Sequence, residues 1–93
     1  MSHKKEHQSK NLINRINRIE GQVSGIKKMI MDDKPFDEIM IQINSSRSAL
    51  QRLSQILLEA QAEHSLMHVN EGRDLNEEMI TLRKVITQYN KMN

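Results

Sequence analysis

Apolar residues recur along this chain at alternating spacings of three and four, which places them on one face of a helix. Three such runs are present. The first is Leu12, Ile16, Ile19, Val23, Ile26 and Ile30; the second is Ile39, Ile43, Leu50, Leu53, Leu57 and Ala60; the third is Leu75, Met79, Leu82, Ile86 and Tyr89, widened by Val85. They predict helices over 9–31, 35–69 and 74–91. Between the first two, Asp32, Asp33, Lys34 and Pro35 make a tight connection. Proline suits the first helical position, and Asp37 and Glu38 complement the positive end of the helix it opens. So short a joint predicts an antiparallel hairpin. Between the second and third, Asn70 to Arg73 form a turn, and Asp74 with Glu77 reads as a capping box. The expected organisation is one all-α domain over 1–93, with residues 1–8 as a flexible arm.

The middle helix dominates this arrangement. From Phe36 to Val69 it contains no Gly or Pro, and as a single helix it would extend about 50 Å, longer than a small domain is wide. Its two ends cannot both be buried by its own chain, so a partner subunit is implied. Its apolar stripe also changes character, meeting Gln61, His64 and His68 with Ser65 at the edge. Those polar residues either form a site or mark where the helix leaves the core.

Composition sharpens the picture. Ninety-three residues lie near the lower end of what forms a core unaided. With one Phe, one Tyr and no Trp, the packing falls to Ile, Leu, Val and Met, and a small helical chain of this kind gains burial by oligomerising. The absence of cysteine removes disulfides and thiolate metal or redox sites. No apolar run approaches the ~20 residues that span a bilayer, and the N-terminus is polar, so a soluble, cytoplasmic protein without membrane contact is expected.

Charge is unevenly distributed. The net charge is +2, yet before Met31 the basic residues Lys4, Lys5, Lys10, Arg15, Arg18, Lys27 and Lys28 face only Glu6 and Glu20. A basic N-terminal segment on a near-neutral chain points to a polyanion. Beside the first seam runs a polar strip, Asn11, Arg15, Arg18 and Gln22, of the donor types that grip phosphates and base edges. Such a strip is also what a solvated flank looks like. Gly21 and Gly25, one turn apart, each cost about 1 kcal/mol relative to Ala within a helix. A close approach there, by a crossing helix or by a nucleic-acid backbone, would account for them.

The string Arg15-Ile-Asn-Arg-Ile-Glu-Gly-Gln-Val-Ser-Gly-Ile-Lys-Lys-Met-Ile30, followed in register by Gln42-Ile43, Arg47-Ser-Ala-Leu50 and Leu57-Leu58-Glu59, resembles the copper- and nickel-sensing repressors of the CsoR/RcnR type. The likeness covers nearly the whole chain and weakens after Val69. It implies an all-α fold of three helices, with the first two helices of two subunits forming an antiparallel four-helix bundle and dimers pairing into a disc-like tetramer. It implies a repressor that holds double-stranded operator DNA and is released by its inducer. DNA contact falls by this resemblance on Arg15 and Arg52, with Arg18 beside them, and Lys10, Lys27 and Lys28 add phosphate attraction.

The same alignment removes the usual inducer ligands. The family's first cysteine falls on Phe36, its histidine on Gln61, and its second cysteine or histidine on Ser65. Phe has no donor atom, and neutral amide and hydroxyl oxygens are poor ligands for transition metals. Copper(I), which needs soft donors, finds no thiolate. No metal is therefore expected at those positions, and the inducer site reads as degenerate. The nitrogen donors that remain are His3, in a Met-Ser-His start like that of the nickel branch, and His64 with His68 one turn apart. Imidazoles at that spacing can share an ion such as Ni(II) or Co(II). Polar residues at a helix end are the plainer account of them.

Two other classes stay open at this point. A small helical dimeric enzyme of chorismate mutase type would need Arg15, Arg47 and Gln61 in one pocket, although no string resembles that family and no acid-base pair is evident. A helical interaction module without DNA contact is the other. Association with a related subunit, giving a hetero-oligomer, is a further alternative to the homo-oligomer.

Overall fold

In the computed structural model, the backbone is described for residues 2–92 and the side chains for residues 9–92. Three helices make up the described chain: α1, Ser2–Met31; α2, Phe36–Asn70; and α3, Leu75–Lys91. Among the described residues there is no strand, so the all-α expectation holds. Two compact units divide within α2, residues 1–53 and 54–93.

Helix boundaries follow from local chemistry. The first helix begins at Ser2, seven residues earlier than the periodicity predicts; the side chains of the expected arm, residues 1–8, lie outside the described residues. Its end is a left-handed cap: Asp33 takes φ 52°, its N–H donates to the carbonyl of Ile30 at 3.2 Å, and the N–H of Lys34 donates to that of Met29 at 3.0 Å. This 6→1 and 5→2 pair satisfies carbonyls that the helix end would leave open. The end of α2 repeats it. Gly72 takes φ 94°, and the N–H groups of Gly72 and Arg73 donate to Val69 and His68 at 3.0 and 2.9 Å.

Pro35 stands one residue before α2, not at its first position. Its carbonyl accepts from the N–H of Ile39 at 3.2 Å, and the N–H that proline lacks would find no helical partner there anyway. Asp74 caps α3 as expected, with its carboxylate accepting from the N–H of Asn76 at 3.1 Å. That bond goes to the second helical residue, where the capping box anticipated Glu77.

In the first unit, Ile19, Ile39 and Ser46 are buried. On α1, Leu12, Arg15, Ile16, Gln22, Ile26 and Met29 are half-buried, again at spacings of three and four. The phase differs from the predicted seam: Arg15, Gln22 and Met29 lie within it, while Val23 and Ile30 are 53% and 59% exposed. The same holds on α2, where Ser46 and Ala49 are turned in and Ile43 and Leu50 stay 40% and 43% exposed. The chain covers the small and polar edge of its apolar stripe and leaves the aliphatic centre open.

Candidate nucleic-acid interface and metal-site positions

The six cations assigned to a phosphate-binding surface all lie in the first unit, but they do not share one face. At 3.6 residues per turn, Lys10 and Lys28 fall opposite Ile19, and Arg18 and Lys27 flank the helix on its two sides. All four are exposed, as is Arg52 on α2. Arg15 differs. It is half-buried, and its Nε is buried with no hydrogen-bond partner among the described residues, like Oε1 of Gln22 and Oγ of Ser46. Three polar atoms left unpaired at the α1 and α2 faces of one small unit are costly. Sequence spacing placed Arg15 and Gln22 on a polar strip beside the seam, either solvated or facing a nucleic acid, and gave no signal for Ser46.

A Cβ added at Gly21 or Gly25 would meet nothing within 4 Å. Among the described residues no neighbouring element explains them, and the crossing-helix account finds no support within the single subunit.

In the second unit, Gln61 donates from Nε2 to Oγ of Ser65 at 3.1 Å. Ser65 is 5% exposed, so its hydroxyl is enclosed and engaged. Phe36, in the first unit, is 85% exposed and has no atom that could ligate. None of these three positions offers a donor set that fits a soft or borderline metal ion.

One turn further along α2, His64 and His68 are brought together, ring centroids 6.4 Å apart and planes inclined by 29°. Nδ1 of His68 lies 2.8 Å from Oε1 of Glu78 on α3. Sequence reading singled out both histidines and missed Glu78. The α2–α3 turn was legible, but which acid of Glu77 and Glu78 faces back depends on the phase of α3, which spacing alone does not set. Among the described residues no group of three or more His, Cys, Asp or Glu side chains surrounds one point. His3 lies outside the described side chains.

Comparison with known proteins sets this geometry in context. Residues 8–88 match the family model described as metal-sensitive transcriptional repressor. The copper-sensing transcriptional repressor CsoR of Bacillus subtilis strain 168 is 30% identical over 91 residues, covering 98% of this chain and 90% of that protein. The copper-sensing transcriptional repressor RicR of Mycobacterium tuberculosis H37Rv is 36% identical over 63 residues, 68% of this chain and 66% of that one. Among solved structures, the nickel-responsive transcriptional regulator InrS aligns with a TM-score of 0.80 at 26% identity, covering 86% of this chain and 90% of that chain. The enzyme alternative, which needed Arg15, Arg47 and Gln61 in one pocket, has no counterpart among these relatives. A match of this reach, found in sequence and in fold alike, makes the chain a member of the metal-sensitive transcriptional repressor family.

Proposed function

We propose that this protein represses transcription in the cytoplasm by holding operator DNA against the basic surface of a homo-oligomer, and that the inducer site of its relatives has lost its chemistry here. The observation that carries the reading is the donor set. A chain without cysteine, with Phe36 in one ligand position and Gln61 bound to Ser65 in the others, offers copper(I) no thiolate or other soft donor at these three positions.

DNA contact is assigned to Arg15, Arg18 and Arg52, supported by Lys10, Lys27 and Lys28. Exposed cations attract phosphate without sequence preference, and each such pairing releases counterions. Gly21 and Gly25 fit this role, because an open, side-chain-free strip on α1 lets a sugar-phosphate backbone or a second subunit approach closely. The oligomer is supported by the aliphatic row left open on the first unit. Ile16, Ile19 and Val23 line a groove bordered by Glu20 and Lys27, and Ile43 and Leu50 remain uncovered on α2. Apolar surface of this extent on so small a chain calls for burial against a second copy. A four-helix dimer and a tetramer of such dimers is the assembly the family resemblance implies. No described helix is long and apolar enough to cross a membrane.

The experiment is a fluorescence anisotropy titration of the protein's own promoter fragment, with buffered copper(I) then added to the complex. The reading expects binding at low salt and a complex that equimolar copper(I) leaves intact. Release by stoichiometric copper(I) would show that a soft-metal site survives, and absence of binding would remove the repressor role.

A further inference from the structure

We propose that His64 and His68 form a second, relocated metal site for a divalent ion of the imidazole-favouring class, Zn(II), Ni(II), Co(II) or Cu(II), with Glu78 fixing the ring that binds it. Glu78 presents a carboxylate oxygen 2.8 Å from Nδ1 of His68, and an ionised carboxylate can only accept. With the carboxylate as acceptor, Nδ1 is the donor of this contact, and in that tautomer of the ring the lone pair is on Nε2, the atom left for a metal. A ligating histidine whose other nitrogen donates to a carboxylate is the usual support of an imidazole metal site. Here that support is in place before any ion arrives, and it comes from a different helix.

His64 supplies the second nitrogen. It sits one turn before His68 on the same face of α2, with the rings 6.4 Å apart. Two imidazoles on one tetrahedral ion stand about 5 Å apart at their centroids. Because Glu78 pins His68, the half-buried His64 is the ring that swings, by about 1 Å. The chain offers these two nitrogens and no third His, Cys, Asp or Glu around them among the described residues, so water or a second subunit completes the sphere. A donor set of nitrogen and oxygen without sulfur selects the divalent ions over copper(I).

This site is distinct from positions 36, 61 and 65, and it would also have a structural effect. A cation on Nε2 withdraws electron density from the ring and strengthens the Nδ1–H···Oε1 bond to Glu78. Metal binding would thus tighten the clamp between the end of α2 and α3. The inference rests on the repressor reading only for its regulatory meaning; binding itself is measured without DNA, so the two fail separately.

The test is a titration of the ¹⁵N-labelled full chain with zinc sulfate at fixed neutral pH, following imidazole ring nitrogens by long-range ¹H–¹⁵N correlation. Nε2 of His68 and one ring nitrogen of His64 should move together and saturate at no more than one ion per chain, while Nδ1 of His68 stays protonated. Glu78→Gln should weaken the apparent affinity about 10- to 100-fold with helicity unchanged by circular dichroism. His64→Ala should weaken it at least as much, and His3→Ala should leave it unaltered. Unmoved His64 and His68 resonances at millimolar zinc, or shifts that persist unchanged in His64→Ala and Glu78→Gln, would overturn the proposal.

Discussion

Two residues that perform the same task at the two helix ends show how chemistry is written into single positions. Asp33 and Gly72 both occupy the left-handed region, with φ 52° and 94°, and both close the same pair of capping hydrogen bonds. Glycine enters that region without steric penalty, whereas a side chain costs about 1 kcal/mol. Gly72→Ala should therefore lower unfolding stability by about 1 kcal/mol, and Asp33→Gly should leave it unchanged or raise it by less than about 1 kcal/mol. Urea denaturation of the two variants checks both signs. The Gly72 cap was legible from its turn sequence. The Asp33 cap was not, because aspartate tolerates the conformation without announcing it. Phe36 could be read directly as a side chain with no donor atom, and Gln61 and Ser65 as neutral oxygen donors that suit transition metals poorly. The hydrogen bond between Glu78 and His68 spans ten residues and a turn, beyond what spacing along a helix can show.

For the helices, the period was legible and the phase was not. The three-and-four recurrence placed α1, α2 and α3 within a few residues, apart from the early start of α1 at Ser2. It could not say which edge of each stripe meets the other helix of the same chain. A helix in a bundle divides one apolar stripe among several neighbours, and a single sequence shows the stripe as a whole. The burial that the chain provides for itself falls on the small and polar edge, Arg15, Gln22, Ser46 and Ala49. Ser46 is 6% exposed, with its hydroxyl unpartnered among the described residues. Ser46→Leu should overpack this edge and cost about 1 to 3 kcal/mol, read as a lowered urea midpoint with the denaturant slope unchanged. An unaltered midpoint would mean that the helices do not pack closely at that residue.

At the scale of the whole molecule, the single chain is an unfinished core. Ile19 and Ile39 are its buried hydrophobic residues among those described, while Val23, Ile30, Ile43, Leu50 and Leu57 remain largely exposed. This open apolar surface is what the proposed homo-oligomer would cover between subunits. Its function then depends on what the outer cations meet. The most direct test is the salt dependence of promoter binding for the wild type, Arg18→Ala and Arg52→Ala, measured by anisotropy from low to moderate salt. If these arginines grip phosphate, the wild type binds tightly at low salt. Each substitution then reduces the magnitude of the slope of log K against log salt by about 0.9 for every phosphate that the bound assembly no longer neutralises. Wild-type binding that is absent at low salt, or slopes identical in all three proteins, would contradict the account.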